Sequence, residues 1–89
     1  MNPLNLIDRA HLFIDELDRI DFGRAIFFTL DISSSSDYIV IHMAHNGELN
    51  REDYIRILDV LYEYFTKVDH SIRNCYIDED TDMIVVERF

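Results

Sequence analysis

Two histidines three residues apart, His42 and His45 in the run IHMAH, and three alternating aspartates, Asp78, Asp80 and Asp82, have the types and spacing that first suggest chemistry in this 89-residue chain. Imidazole and carboxylate groups ligate zinc, and alternating aspartates open a calcium-binding loop. Neither pattern completes itself. The residues around His42 and His45 alternate as a β-strand does, and strand residues three apart point to opposite faces, so one ion could not take both. A calcium loop needs Gly at its sixth position and Glu at its twelfth, where counting from Asp78 finds Met83 and Phe89. His11 and His70 fall on the solvent faces of separate helical stretches. The expectation is no metal and no cofactor, with residues 78–82 forming a charged hairpin tip.

Nucleophilic chemistry meets the same difficulty. Four serines at 33–36 lie in a connector without a nucleophile elbow, and Cys75 opens a strand with no cation or helix N-terminus to activate it. No Gly-rich phosphate loop is present. Exposed carboxylates lack the burial that tunes a catalytic acid. The chain reads as a binding protein with no catalytic residues.

Charge is the more informative signal. Eighteen Asp and Glu stand against eight Lys and Arg, a net charge of −10, and the excess is uneven. Asp8, Asp15, Glu16, Asp18 and Asp21 crowd the first 21 residues against Arg9 and Arg19, and Asp78, Glu79, Asp80 and Asp82 form the second concentration. Lys67 and seven scattered arginines provide no basic track for phosphates. Nucleic acid and anionic membrane are disfavoured as ligands, and a basic protein surface is favoured.

These side chains must be placed by a small fold. Apolar residues make up 48% of the chain, enough for one core, and residues 1–89 read as a single domain. A lone Cys75 forms no internal disulfide, Asp8 and Arg9 interrupt any secretion signal, and no stretch has the length of a membrane span, so a cytoplasmic location is expected. Asn2 and Pro3 make a helix start. A helix to about residue 20 would gather Leu6, Ile7, Ala10, Phe13, Ile14, Leu17 and Ile20 on one side, with Asp8, His11, Asp15 and Asp18 on another. Residues 24–32 and 38–45 alternate as strands, so that Ile26, Phe28, Leu30, Ile32, Ile39, Ile41 and Met43 share a buried face. Phe27, Thr29, Asp31, Tyr38, Val40 and His42 then share the other, which is too apolar to be simply wet.

Asn50 and Asp53 form a capping box, with Leu49 and Tyr54 as its hydrophobic staple. The helix they open carries an apolar face from Tyr54 through Ile57, Leu61 and Phe65 to Val68 and Ile72. That face widens through Ile55 and Tyr62 on one flank and Val60 and Tyr64 on the other, so more than a sheet must cover it, either the first helix or a second subunit. Asn74 is read as a left-handed cap before two strands, 75–77 and 83–89. The expected fold is α+β, a two-layer sandwich in αββαββ order with a four-stranded antiparallel sheet and both helices on one face. The two halves share an order of elements, but the sequence shows no residue-level repeat good enough to claim a duplication.

Two functions fit. The first is a small acidic inhibitor whose carboxylates, at Asp8, Asp15, Asp18, Asp78, Glu79, Asp80 and Asp82, occupy the basic surface of a nuclease or other nucleic-acid-binding protein. By analogy of class alone, this is the behaviour of DNA mimics such as phage anti-CRISPR and anti-restriction proteins, which act in the host cytoplasm, and of immunity proteins. The second is a homodimeric adaptor or chaperone-like module that binds through Phe27, Tyr38, Val40 and Tyr62.

Overall fold

The computed structural model describes residues 5–89. Its elements are α1 (Leu6–Asp18), β1 (Ile26–Leu30), β2 (Tyr38–His45), α2 (Arg51–Tyr64), β3 (Ile72–Asp78) and β4 (Met83–Arg88). The strands make one antiparallel sheet in the spatial order β1-β2-β4-β3. This is the αββαββ two-layer architecture, and no helix among the described residues is long and apolar enough to cross a membrane.

Local chemistry sets the helix ends. The described start of α1 is capped by Asn5, whose side chain accepts the Asp8 N–H at 2.9 Å; the Asn2–Pro3 start lies outside the described residues. At α2 both halves of the expected capping box are present, Asn50 taking the Asp53 N–H and Asp53 taking the Asn50 N–H. The second helix is shorter than its apolar pattern suggests. It ends at Tyr64, where Thr66 Oγ and the Lys67 N–H both turn back to the Tyr62 carbonyl. Val68 is therefore exposed, and Ile72 begins β3 rather than closing a helix face. Asn74 is no cap. It sits within β3 and donates its side-chain amide to Glu87 on β4 at 3.0 Å.

Strand alternation divides the sheet cleanly. One face presents Ile39, Ile41, Ile84 and Val86, fully buried, with Met43 and the partly buried Phe28, Leu30, Cys75 and Ile77 around them. Ile32 departs from this set: β1 stops at Leu30, and Ile32 is fully exposed in the connector. Both helices lie on the apolar face through Leu6, Ala10, Phe13 and Leu17 of α1 and Ile57 and Leu61 of α2. They meet one another where Phe13 packs edge-on against Phe65 (5.8 Å between ring centres) and near Tyr64 (6.2 Å). The first helix thus covers the Val60–Tyr64 flank of α2, while Ile55 and Tyr62 on the other flank stay exposed.

A buried charge ties the layers together. Arg9, only 7% exposed, points inward from α1 and meets Asp69 at 3.0 Å, and Arg88 from β4 meets the same carboxylate oxygen at 2.7 Å. Desolvation acts to raise the Asp69 pKa, but hydrogen bonds from Ser71 and Arg88 outweigh it and hold the carboxyl well below the usual range. A depressed folded pKa gives stability that is complete above the unfolded value, near 4, and is lost as pH falls through it toward the folded one. Asp69→Ala leaves Arg9 buried without its partner and is expected to cost about 3 kcal/mol at neutral pH. Urea denaturation should also show a shallower loss of stability below about pH 5 in this variant than in the parent chain.

Candidate functional site

The sheet face away from the helices is the half-apolar surface that strand alternation places there. Its centre is the cross-strand pair Val40 and Val85, 8% and 7% exposed although neither helix lies over them. Around this pair the register places Tyr38, Met83 and Tyr76, and further out Phe27, which is 67% exposed. The carboxylates of this face lie around that centre: Asp31 beyond the end of β1 and 2.7 Å from His42, Asp78 opposite Met83, and Glu87 near the end of β4 opposite Tyr38. Arg73 reaches Glu87 from the side at 3.9 Å. An apolar centre inside an acidic border suits a partner segment that is apolar on one side and basic around it.

Of the residues expected to form an apolar binding face, Phe27, Tyr38 and Val40 do share this surface. Tyr62 does not. It lies on α2, in the other layer, on the flank that α1 leaves bare. The sheet itself separates them, with Tyr62 on its helix side and Phe27, Tyr38 and Val40 on its open side.

The acidic residues likewise resolve into separate places. Asp8, Asp15 and Asp18 are exposed along α1, and none makes an ion pair among the described residues. Asp8 and Asp15 are about 10 Å apart at the rise of an α-helix. Asp18 borders a surface depression with Arg24 and Phe27, where α1 passes to β1. At the tip, Asp80 N–H donates to Asp78 Oδ1, the Asp82 main-chain carbonyl accepts the Met43 N–H at 2.9 Å, and the Asp82 carboxylate lies 3.2 Å from His45 Nε2. Glu79 and Asp82 come together with Glu48 and Asp53 around Tyr54. Burial first, and then the charges of Asp82, Glu79, Glu48 and Asp53, push the Tyr54 phenol up from its ordinary value. This grouping was not apparent from the sequence, where the four acids span residues 48–82. Arg24 offsets it, reaching Asp53 at 3.7 Å and donating to the Glu48 carbonyl.

The histidines are divided as strand geometry requires. His42 stands on the open face and contacts Asp31 at 2.7 Å. His45 turns the other way, its Nδ1 donating to the Gly47 carbonyl at 2.7 Å and its Nε2 lying 3.2 Å from Asp82. No group of three His, Cys, Asp or Glu side chains among the described residues converges as a metal site. Asp31 is the most perturbed carboxylate of the open face. Hydrogen bonds from the Ser33 side chain, then from His42 and the Ser33 backbone, pull it down to about 2. The serine connector is ordered as well, since Ser34 Oγ accepts the Val40 N–H at 3.1 Å.

Cys75 sits on the core side of β3, where burial pushes its thiol up to about 12, the opposite of what a nucleophile needs. Scans against protein-family models, curated proteins and solved structures return no match. Two measurements check the electrostatics. Carboxyl-carbon NMR should place the Asp31 midpoint at about 2 and show it rising in Ser33→Ala. A thiol-specific chromogenic reagent should react with Cys75 at neutral pH about 100-fold more slowly in the folded chain than in urea.

Proposed function

We propose that this chain is a non-enzymatic binding protein that seats a basic protein surface on its open sheet face. A target whose basic surface normally holds nucleic acid would be blocked by such an occupant, which makes inhibition of a nuclease or other nucleic-acid-binding protein the reading's consequence. The observation that carries it is the juxtaposition of the Val40–Val85 apolar centre with a carboxylate border at Asp31, Asp78 and Glu87. Apolar contact provides affinity, and border charges steer approach and select a cationic partner. Cys75 faces the core, and His42 and His45 each lie against a different aspartate.

A homodimer through the same face is the less favoured form. It would bring the Asp31, Asp78 and Glu87 borders of two copies together, and like charges at close range oppose association. The specific alternative is the α1 row, because Asp8, Asp15 and Asp18 are exposed without ion pairs and so offer carboxylates one and two helical turns apart to Arg and Lys side chains.

Co-purification from the native cell separates these surfaces. A captured partner should be basic, and its binding should weaken steeply as salt rises. Phe27→Asp combined with Tyr38→Asp is expected to lower affinity by at least about 30-fold, the equivalent of about 2 kcal/mol. Asp8, Asp15 and Asp18 changed together to Asn should leave most of the affinity in place. The reverse pattern assigns binding to α1, and a salt-insensitive complex contradicts both.

A further inference from the structure

We propose that the chain is two copies of one αββ unit fused in tandem, and that the β2–β4 seam is an internalised two-fold interface in which each half is the other's partner. Each helix is capped by an asparagine that takes the N–H of an aspartate three residues on, Asn5 with Asp8 and Asn50 with Asp53, both at 2.9 Å. The interval is identical at the two positions, 50 − 5 = 45 and 53 − 8 = 45. The central strands begin at Tyr38 and Met83, again 83 − 38 = 45, and open with matching residues, Asp37-Tyr-Ile-Val and Asp82-Met-Ile-Val. The outer strands keep this interval in their pairing: Leu30 faces Ile41 and Cys75 faces Val86, so that 75 − 30 = 45 and 86 − 41 = 45.

The seam itself supplies the symmetry argument. Val40 faces Val85, and 85 − 40 = 45, so each is paired with its own equivalent. In an antiparallel pair a residue meets its counterpart only where a two-fold axis passes. The flanking hydrogen bonds obey the same operator. Met43 N–H donates to the Asp82 carbonyl at 2.9 Å and Arg88 N–H donates to the Asp37 carbonyl at 2.9 Å, and 88 − 43 = 45 while 82 − 37 = 45.

The helices show how far the copies have diverged. Phe13 and Leu17 are buried in α1, Ile57 and Leu61 in α2, and these intervals are 57 − 13 = 44 and 61 − 17 = 44. Relative to its cap, α2 is turned by one residue, about 100° about its axis. In α1 the phase brings Arg9 inward to Asp69.

The axis emerges on the open face at Val40 and Val85, so the apolar centre belongs to neither unit alone and exists only where the two meet. This holds whatever that face binds.

Reordering the halves tests the symmetry on the whole chain. Residues 46–89, one inserted glycine, then residues 1–45 should reproduce the αββαββ order, because the glycine stands in for the equivalent of His45 and residues 1–4 replace residues 46–49 as the link to a capped helix. Leu6 N–H and Arg88 Nη1 both donate to the Ser36 carbonyl, which shows that β4 ends beside the start of α1. The reordered chain is expected to give the parent's near-ultraviolet circular dichroism and a Tm within about 5 °C of it. A version with a ten-residue linker should fold with slightly lower stability. Folding only with the long linker, or with neither, overturns the two-fold equivalence.

Discussion

The pairing of β2 with β4, from Tyr38 opposite Glu87 to His42 opposite Met83, turns two helix-plus-hairpin halves into one sheet. An isolated two-stranded hairpin is marginal in water, whereas four strands under two helices bury a shared core. Ile39 and Ile41 of β2 and Ile84 and Val86 of β4 are fully buried because their strands occupy the middle of the sheet and lie beneath both helices. The outer strands, by contrast, keep only partly buried residues on the same face. Burial grades outward from the seam, and so should the cost of mutation.

Electrostatics reinforces that arrangement at one point and strains it elsewhere. Arg9, Asp69 and Arg88 join the first helix, the turn after the second and the last strand through one carboxylate. Its energetic meaning lies in partnership: a charge as buried as Arg9 is tolerable only while Asp69 is ionised beside it. Most of the remaining acids are exposed, among them those on the outer surface of α1 and along the border of the open face, while Asp53 is buried beside Arg24. Mutual repulsion among them opposes compaction, which the seam and the helix layer must overcome.

This distribution connects fold to function. A sheet with helices on one face leaves its second face to solvent, and in most such proteins that face alternates to polar residues. Here Thr29 and His42 follow that rule, but Tyr38, Val40, Met83, Val85 and Tyr76 do not. Val40 and Val85 lose their water to neighbouring side chains rather than to a covering layer, and Phe27, opposite Ala44 further along the same face, is left bare. Under the proposed function, that surface is the one a partner would cover. Its acidic border accounts for the specificity such an interface would show.

Much of the architecture was legible because it is written in local pattern. The Asn50–Asp53 capping box, the alternation in residues 38–45 and the 3.6-residue spacing of Leu6, Ala10, Phe13 and Leu17 each report on neighbours within a few positions. Errors arose where a distant contact overrode the pattern. Val68 and Ile72 continue the helical spacing of α2, yet Ile72 is claimed by β3, and Asn74 exchanges a cap's conformation for a ladder position opposite Glu87. Ile32 continues the β1 alternation but lies beyond the last pair of that strand. The amino-acid sequence by itself determined the element types, their order, the division of the sheet into a core face and a half-apolar second face, and the acidic excess. Tertiary structure alone decided that Tyr62 stands apart from Phe27, Tyr38 and Val40, that Glu48, Asp53, Glu79 and Asp82 gather round Tyr54, and that Val40 meets Val85. The physical reason is common to all three: strand pairing and layer stacking are long-range choices, set by which apolar faces can be buried together, and no local periodicity records them.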